Sequence, residues 1–525
     1  TYIVDLGQNM VGRVRLRVQG PRGTVITLRH GEMLNPDGSL YVRNLRTAAA
    51  IDQYRLHGQG EEIWEPRFTF HGFRYVEVSG YPATLSKGAI TGIVLQSDLE
   101  QTGDFRCSHT GINQLQHNIV WGQRGNFLEV PTDCPQRDER LGWMGDAQIF
   151  APTACFNMDT AAFFTKWMDD VVDAQSEAGG FPDTAPRMRL IGDSAPAWAD
   201  AGVIVPWTVY ERYGDTGILR RHYNSMRRYV DYLDASNPDH LWLRYRGHDF
   251  GDWLDVNDPT SKDVLATAFF AHSAGLLAKI AKVLGDQDNA IGYAQLATAI
   301  RQAFEKAYVG ATGRIESDTQ TAYSLALRFD LVCPDIRPAL AGHLVDRIRE
   351  RQWHLATGFV GSPHLLFALS DNGCLDIAYK LLEQETYPSW LYPIAHGATT
   401  MWERWNGWTK HEGFADVGMN SFNHYAFGAV GQWLYEVVAG ISPAAPGYQE
   451  IRIAPRPGGS ITKAEATLLS PYGRVASDWT IADGLFRLRV GIPANTTAAV
   501  HIPTTGATAS QTGLAPAEST GETTV

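Results

Sequence analysis

The sequence predicts three regions in order: a β region, a long helical region and a second β region. Apolar residues alternate with polar residues near the amino end, recur at helical spacing from about residue 106 to residue 440, and alternate again beyond residue 441. With 525 residues, the chain is too long for a single core. We therefore expect three domains, which comprise residues 1–105, 106–440 and 441–525.

The first region has the pattern of half-buried strands. Val14, Leu16 and Val18 alternate with arginines, and this period of two places one face of a strand in a core. Further strands are expected within residues 25–28 and 73–78. Strands that follow one another with turn residues between them indicate an antiparallel β-sandwich.

The middle region has helical periodicity. Leu265, Phe269 and Ile280 fall on one helical face, and short breaks rich in Gly, Asp, Asn and Pro separate such segments. Helices of average length would number roughly ten to twelve here. Because no solenoid repeat is present, we expect a closed double ring of helix pairs, with long loops that form one pocket. The last helix is expected over residues 425–438, with Gly440 as its C-cap.

The last region returns to a period of two. Ile451 and Ile453 alternate with polar residues, and so do Phe486 and Leu488. We expect a second β-sandwich here. Residues 504–525 are rich in Thr, Ala, Gly and Ser, and they are either a flexible tail or a strand cut short.

The composition argues against several classes of partner. A net charge of −12 without a basic stripe argues against nucleic acid, and no apolar run is long enough for a membrane span. The 5 cysteines are widely spaced and form no CxxC pair, so neither a zinc ribbon nor a disulfide framework is indicated. The 15 tryptophans suit flat platforms for sugar rings or bases, although large cores would also explain them.

One stretch concentrates charge without any apolar period. Residues 133–146 hold four carboxylates, two arginines, one tryptophan and two glycines. Burial of such a cluster is costly unless each charge is paired. The simpler interpretation is a solvated acidic loop, but the Trp and Gly content favours a site. Cys134 lies within the stretch, and a small apolar filler is its expected role rather than a nucleophile.

A second stretch places one carboxylate among tryptophans. Glu403 stands between Trp402 and Trp405 and precedes Arg404. In a pocket, desolvation would raise the pKa of Glu403, or Arg404 would hold it ionised. The alternative is a surface Glu–Arg pair flanked by core tryptophans.

Together the two stretches suit glycoside cleavage. One carboxylic acid protonates the leaving oxygen, and a second carboxylate activates water or attacks the anomeric carbon. Tryptophan and histidine side chains would stack on the sugar and bind its hydroxyls. The sequence contains no Walker loop, no GxGxxG after a strand, no HExxH and no GxSxG. We therefore expect no metal and no cofactor.

These motifs resemble those of a known family. Residues 133–146 (Asp-Cys-Pro-Gln-Arg-Asp-Glu-Arg-Leu-Gly-Trp-Met-Gly-Asp) are similar to the signature of the bacterial α-L-rhamnosidases, glycoside hydrolase family 78. Residues 398–405 resemble its second site motif, and residues 423–428 resemble its third. Residues 5–9 and 70–75 are similar to the β-sandwich that precedes its barrel. The resemblance covers essentially the whole chain in the same order.

The resemblance implies a fold and a set of roles. The implied fold is an (α/α)6 helical barrel flanked by N-terminal and C-terminal antiparallel β-sandwich domains. The implied reaction is the hydrolysis of terminal α-L-rhamnose with inversion, on a rhamnose-containing glycoside or oligosaccharide, with Glu139 as general acid and Glu403 as general base. The residues implied to hold or surround the sugar are Asp133, Arg137, Trp143, Asp146, Trp198, Trp253 and His424.

The residues alone leave the choice between Asp138 and Glu139 open. Neighbouring residues point about 100° apart on a helix or to opposite faces of a strand, so only one of the two can face the sugar. The other would pair with Arg137 or Arg140. The resemblance favours Glu139 as the residue that faces the sugar.

The sequence departs from the family pattern at both ends. Family members usually carry further β domains ahead of this region, and we expect this chain to lack them and its last sandwich to lack a final strand. Because Thr1 begins without Met or a signal peptide, we expect a trimmed or processed chain. This end of the sequence does not indicate the compartment, and our expectation is a soluble protein of the bacterial cytoplasm or periplasm. Two other functions stay open: a hydrolase of the same architecture for another sugar, and a non-catalytic carbohydrate-binding protein.

Overall fold

The computed structural model describes residues 1–188, 192–503 and 522–524. The chain forms two compact units, and each combines segments that are distant in sequence. The first unit consists of Thr1–Asp98, His117–Gly142 and Pro393–Ala426. The second consists of Leu99–Gln116, Trp143–Tyr392 and Phe427–Val525.

Nine strands lie within residues 1–107, all of which the structure describes. They are β1 (Tyr2–Gln19), β2 (Val25–Gly31), β3 (Met33–Leu34), β4 (Leu40–Tyr41), β5 (Ile51–Arg55), β6 (Glu61–Trp64), β7 (His71–Ser79), β8 (Ile90–Val94) and β9 (Gly103–Cys107).

A six-stranded antiparallel sheet organises the first unit. Its order is β5-β2-β7-β1-β6, and β8 also pairs with β1. The alternation that predicted β1 is real, because Val14 and Leu16 are fully buried whereas Arg15 and Arg17 are exposed. Their core also includes Phe73 of β7. The expected strands at 25–28 and 73–78 are therefore confirmed as β2 and β7.

The described part of the helical region contains thirteen α-helical segments and four short strands. The helices are α1 (Thr110–Asn126), α2 (Met144–Asn157), α3 (Ala161–Asp173), α4 (Ala201–Tyr213), α5 (Thr216–Ser236), α6 (Lys262–Leu284), α7 (Gln287–Tyr308), α8 (Gln320–Arg328), α9 (Arg337–Glu350), α10 (Ser362–Ser370), α11 (Leu375–Leu382), α12 (Leu391–Ala395) and α13 (Gly431–Trp433). The strands are β10 (Phe127–Leu128), β11 (Val130–Pro131), β12 (Trp408–Thr409) and β13 (Gly413–Phe414).

Alternate helices of the second unit form a ring. Helix α2 packs on α4, α4 on α6, α6 on α8, α8 on α10, and α13 on α2. Trp433 of α13 donates a hydrogen bond to the hydroxyl of Ser370 in α10 (3.3 Å), which closes the circle. The remaining helices pack beside their neighbours in sequence, as α6 does with α7 and α10 with α11. This is the expected double ring of helix pairs.

The last helix differs in detail from the expectation. The backbone over Ala426–Val430 is a 3-10 helix, α13 follows, and Leu434–Val438 is a π-helix. Gly440 has a φ of +84°, the left-handed conformation expected of the residue after a helix.

Seven strands follow Gly440 in the described residues. They are β14 (Ile441–Pro443), β15 (Glu450–Ile453), β16 (Lys463–Ser470), β17 (Gly473–Ala482), β18 (Leu485–Gly491), β19 (Thr497–Val500) and β20 (Glu522–Thr524).

These strands form two sheets. One is antiparallel in the order β20-β18-β17-β16-β9, and the other has the order β14-β15-β19. Strands β15 and β19 run parallel, which the long connection through β16–β18 permits. Strand β9 lies in the last sheet, although the sequence grouped most of its residues with the first β region. Of the tail alternatives for 504–525, residues 522–524 form a strand, whereas 504–521 and 525 lie outside the described residues.

The predicted fold class, a helical domain with antiparallel β domains before and after it in the chain, is confirmed. The domain boundaries at residues 105 and 440 stay a prediction. Among the described residues, α6 is long and apolar enough to cross a membrane, but 78% of its apolar window is buried inside the structure, as in a core helix.

Candidate active site

The residues from Asp133 to Leu141 fold into a closed loop, here called the Asp133–Leu141 loop. The amide of Asp133 donates to the carbonyl of Leu141 (3.0 Å), and the amide of Leu141 donates to Oδ1 of Asp133 (2.9 Å). Arg140 has a left-handed φ of +53°, which turns the chain just before Leu141. Its guanidinium lies 4.7 Å from the ring centre of Phe70. The loop is neither helix nor strand, as expected from its lack of an apolar period.

Arg137 is the centre of a buried ion cluster. Its side chain is 1% exposed and its donors face three carboxylates. Nε donates to Glu139 (3.0 Å), and the two terminal nitrogens bind Glu403 in a fork at 2.8 and 3.1 Å. The carboxylate of Asp133 lies 3.4 Å from the same guanidinium. One guanidinium therefore joins the two stretches of the sequence that carry carboxylates.

Backbone hydrogen bonds fix the carboxylate of Glu403. The amide of Glu403 donates to the carbonyl of Ser421 (2.9 Å), and the amide of Ser421 donates back to Oε2 of Glu403 (2.8 Å). The side chain is 2% exposed, so the surface-pair interpretation is wrong. The partner of Glu403 is Arg137, whereas Arg404 donates to Asn406 (3.2 Å) and to the carbonyl of Met419 (3.5 Å).

The cluster sets distinct charges on its members. Burial alone would raise the pKa of Glu403, but the charge of Arg137 and the hydrogen bonds from Arg137 and Ser421 hold that pKa below its ordinary value. Burial, followed by the charge of Glu139, raises the pKa of Asp133 to about 7. Burial lowers the pKa of His424 to about 4, against the opposing charge of Glu403. Near neutral pH the cluster thus combines an ionised Glu403, a neutral His424 and a partly protonated Asp133.

The structure distinguishes Asp138 from Glu139. Asp138 accepts a hydrogen bond from the hydroxyl of Thr47 and lies 3.6 Å from Arg46. Glu139 accepts from Arg46 (2.9 Å) and from Arg137, with 11% of its side chain exposed. One supporting partner of Asp138 is therefore Arg46, whereas Arg137 or Arg140 was the expectation from the sequence. No sequence pattern marked Arg46, because it follows a short 3-10 turn far from either motif.

A second carboxylate, Glu32, supports the loop that follows Glu403. It is 1% exposed and accepts hydrogen bonds from Asn9 (3.0 Å), Asn44 (3.0 Å) and the amide of Phe422 (3.2 Å). Burial raises the pKa of Glu32 to about 7 despite these donors. No sequence pattern marked this residue. It supports the backbone of the loop that binds Glu403, and the charge of Arg137 also acts on its pKa.

Cys134 is fully buried beside Asp133. Burial raises the pKa of its thiol well above the ordinary value, so the thiol stays protonated and is a poor nucleophile. This supports the expected role as a small apolar filler. All 5 cysteines are free thiols.

Three predicted tryptophans lie together in the second unit, around one phenylalanine. The ring centre of Phe250 lies 5.5 Å from that of Trp143, 4.7 Å from that of Trp198 and 6.0 Å from that of Trp253. Gly145 is required beside them, because a Cβ at that position would lie 2.4 Å from the ring of Trp198. The sequence analysis identified the tryptophans but missed Phe250.

Asp146 and Asp183 are carboxylates of the same unit. Asp146 lies in the first turn of α2 and is 3% exposed, at the helix end that favours negative charge. Burial raises the pKa of Asp183 to about 6. The carbonyl of Asp183 accepts a hydrogen bond from the amide of Met144 (3.0 Å), which ties it to the start of α2. Asp183 was also missed by the sequence analysis.

The predicted site residues thus fall into two groups. Asp133, Arg137 and Glu139 lie in the first unit with Glu403 and His424. The predicted residues of the second unit are Trp143, Asp146, Trp198 and Trp253.

Comparison with known proteins gives matches along the chain. The bacterial alpha-L-rhamnosidase 6 hairpin glycosidase domain matches residues 100–438. The concanavalin-like domain of the same enzymes matches residues 1–96, and their C-terminal domain matches residues 440–514.

An alpha-L-rhamnosidase of Streptomyces avermitilis is 51% identical over 502 residues, which are 96% of this chain and 48% of that protein. One from Formosa agariphila is 46% identical over 96% of this chain and 55% of its own length. The chain thus spans about half the length of the curated relatives it matches.

A crystal structure of the Streptomyces avermitilis alpha-L-rhamnosidase complexed with L-rhamnose superposes with a TM-score of 0.93, over 95% of this chain and 48% of that one. Native alfa-L-rhamnosidase from Aspergillus terreus gives a TM-score of 0.94 at 38% identity, over 100% of this chain and 61% of that one. The family domain that matches residues 100–438 covers more than half of the chain. The chain belongs to the bacterial α-L-rhamnosidases, glycoside hydrolase family 78.

Proposed function

We propose that the protein is an inverting exo-glycoside hydrolase that releases terminal α-L-rhamnose, with Glu139 as general acid and Glu403 as general base. The observation that carries the proposal is the ion cluster, in which Arg137 binds both carboxylates. Family membership and the relative complexed with L-rhamnose support the choice of sugar.

Glu403 has the properties of a general base. It is buried, and its charge is held by the guanidinium fork of Arg137 and by the amide of Ser421. A carboxylate kept ionised in a site with little water can orient a water molecule and accept its proton as the water attacks the anomeric carbon. His424 is neutral near pH 7, so it adds hydrogen-bonding capacity to this side of the cluster without a competing positive charge.

Glu139 is the more exposed of two neighbouring carboxyl groups, with 11% of its side chain exposed against 3% for Asp133. Burial, followed by the charge of Glu139, raises the pKa of Asp133 to about 7. We therefore assign the delivery of a proton to the leaving oxygen to Glu139, and Asp133 supports it from the buried side.

The atoms balance for a single displacement. Glu139 gives its proton to the glycosidic oxygen, the bond from that oxygen to the anomeric carbon breaks, and water attacks the opposite face while Glu403 takes the second proton. The products are β-L-rhamnose and an alcohol. Inversion requires carboxyl groups about 6.5–9.5 Å apart, against about 5 Å for retention. Arg137 binds Glu139 through Nε and Glu403 through its terminal nitrogens, so a guanidinium separates the two carboxylates.

We assign the remaining predicted residues to sugar binding. In the first unit, Asp133 and Arg137 would hold rhamnose hydroxyls and His424 would contact the sugar. In the second unit, Asp146 would hold a hydroxyl, and Trp143, Trp198 and Trp253 would offer apolar faces. Aromatic rings offer apolar faces to sugar C–H groups, and rhamnose adds a methyl group at C6 that suits such a surface.

The first experiment measures turnover of an aryl α-L-rhamnoside by Glu139→Gln and Glu403→Gln. Each change removes a proton-transfer group, and we expect kcat to fall about 10²–10⁴-fold or more with the circular dichroism spectrum unchanged. Asp138→Asn is the matched control, because Asp138 adjoins Glu139 but binds Thr47. Near wild-type turnover by either glutamine variant would remove that residue from its role.

A second experiment tests the sugar and the stereochemistry. Aryl glucoside and fucoside should be hydrolysed much more slowly than the rhamnoside. Proton NMR of the first product should show the β anomer of rhamnose before mutarotation. If the α anomer forms first, the mechanism is retaining. Binding of rhamnose without any turnover would instead indicate a carbohydrate-binding protein.

A further inference from the structure

Three ligand-type side chains converge in the amino-terminal sheet, outside the cluster around Arg137. His30 lies on β2, Asp52 on β5 and His71 at the start of β7, and β2 is hydrogen-bonded to both of the other strands. They are 1%, 8% and 6% exposed. One ligand atom from each lies within 4.8 Å of the others.

The hydrogen bonds determine which nitrogen of His30 carries its proton. Nδ1 lies 3.0 Å from the carbonyl oxygen of Ala50, which can only accept, so Nδ1 is the protonated nitrogen. Nε2 then presents a lone pair. It is buried and has no hydrogen-bond partner. A backbone carbonyl at the remote nitrogen is the support that metal-bound histidines usually have.

The surroundings of this lone pair are unfavourable without a positive centre. Nε2 of His30 lies 3.8 Å from Oδ2 of Asp52, so two electron-rich atoms face each other in a buried site. Nε2 of His71 approaches the same oxygen at 3.1 Å. The two imidazoles are stacked, with ring centres 4.2 Å apart, which brings both Nε2 atoms towards the one carboxylate. A cation between the three atoms would satisfy all of them.

We propose that His30, Asp52 and His71 form a structural site for a divalent transition metal, with Zn²⁺ as the best fit. Two imidazoles and one carboxylate are ligands that zinc accepts. Bonds of about 2.1 Å in a tetrahedron separate two ligand atoms by about 3.4 Å, and the two separations from Asp52, 3.1 and 3.8 Å, bracket that value. Water would complete the coordination. The ligands come from three strands, so no sequence motif records them.

The described residues contain one other group of this kind, Asp133, Cys134 and Glu139. It belongs to the active-site cluster, where the guanidinium of Arg137 lies 3.0 Å from Glu139 and 3.4 Å from Asp133. That fixed positive charge opposes a metal ion.

The metal would brace the start of β7. The next residue, Gly72, packs so closely on the Asp133–Leu141 loop that a Cβ there would lie 2.8 Å from Pro135. A metal that fixes His71 therefore stabilises the strand against which this loop rests.

The test uses the full chain, stripped with a chelator and titrated with Zn²⁺ by calorimetry. We expect one Zn²⁺ per chain, a rise in the unfolding temperature on its addition, and at least a hundredfold weaker binding by Asp52→Asn and His71→Gln. His57→Gln, which alters an exposed histidine of the same sheet region, is the control and should bind like the wild type. Equal binding by Asp52→Asn and the wild type would overturn the proposal, as would no binding by the wild type.

A measurement on the wild type guards against variants that do not fold. Crystals soaked in Zn²⁺ should show an anomalous peak between the three side chains. A peak only at Cys134, or only at surface histidines, would refute the site. Neither measurement depends on rhamnoside turnover, so its outcome is separable from that of the proposed function.

Discussion

Removal of the Arg137 guanidinium should convert the candidate base into a protonated acid. Arg137→Met replaces a buried cation with an apolar chain of similar length. The carboxylate of Glu403 accepts two hydrogen bonds from Arg137 and one from the amide of Ser421. In Arg137→Met only the bond from Ser421 would remain of these three. Burial, which already acts to raise the pKa of Glu403, would then prevail over the remaining lowering effects.

The size of the effect follows from the burial of the cluster. Breaking a buried ion pair by removing one partner typically costs about 3–5 kcal/mol. Here one guanidinium serves three carboxylates, so we expect a loss at the upper end of that range. Activity near pH 7 should fall about 10²–10⁴-fold, the usual contribution of a general base. The acidic limb of the pH profile of kcat/KM should move to higher pH, because the base must lose a proton that it does not carry in the wild type.

The assay combines urea unfolding with pH profiles on an aryl α-L-rhamnoside. Arg404→Met is the matched control, because Arg404 follows Glu403 in the sequence but donates to Asn406 and Met419 instead. Arg137→Lys should keep part of the pKa shift but not the fork, and its acidic limb should lie between those of the wild type and the methionine variant. An unmoved limb in Arg137→Met, or an equal shift in Arg404→Met, would refute the assignment of Arg137.

Further predictions concern two buried carboxyl groups, Asp133 and Glu32, and the glycine beside the tryptophans, Gly145. Asp133→Asn removes a group whose pKa is raised in the folded state. The stability contribution of that protonation is present at low pH and is lost as pH rises towards 7, so the variant should lose less stability than the wild type between pH 5 and 8 in urea titrations. Glu32→Gln should destabilise the chain by about 1–3 kcal/mol, because one of its three donors is left facing an amide N–H; an unchanged urea midpoint would contradict this. Gly145→Ala should lower expression or the unfolding temperature, since its Cβ would collide with Trp198, and Gly292→Ala, where a Cβ meets open space on α7, is the control.

Local patterns of the sequence predict the elements well, because the forces that define them are local. The period of two in β1 and the helical period in α6 report directly which side chains are buried. Sheet membership depends on partners elsewhere in the chain. The sequence of β9 has the same kind of pattern as the other strands of the first region. In the structure it pairs with β16, where Phe105 lies opposite Ala466, and nothing within β9 itself indicates that partner.

The candidate site shows the same division. The motifs identified Arg137 and Glu403, but 266 positions separate them, and Arg404 was the only arginine that proximity in sequence could offer as a partner. Arg46 and Glu32 were missed for the same reason, since neither belongs to a motif and both act through contacts made in the folded chain. A sequence can show that a carboxylate needs a partner, whereas only the fold identifies that partner.

Two buried carboxyl groups, Asp133 and Glu32, make the stability of the first unit depend on pH. Burial raises the pKa of both to about 7. Their protonation in the folded chain contributes stability that is present at low pH and is lost as the pH rises towards 7. The wild type should therefore lose stability in urea over this interval, and Glu32→Gln, which removes one of the two groups, should lose less. An equal loss in both proteins would contradict the raised pKa of Glu32.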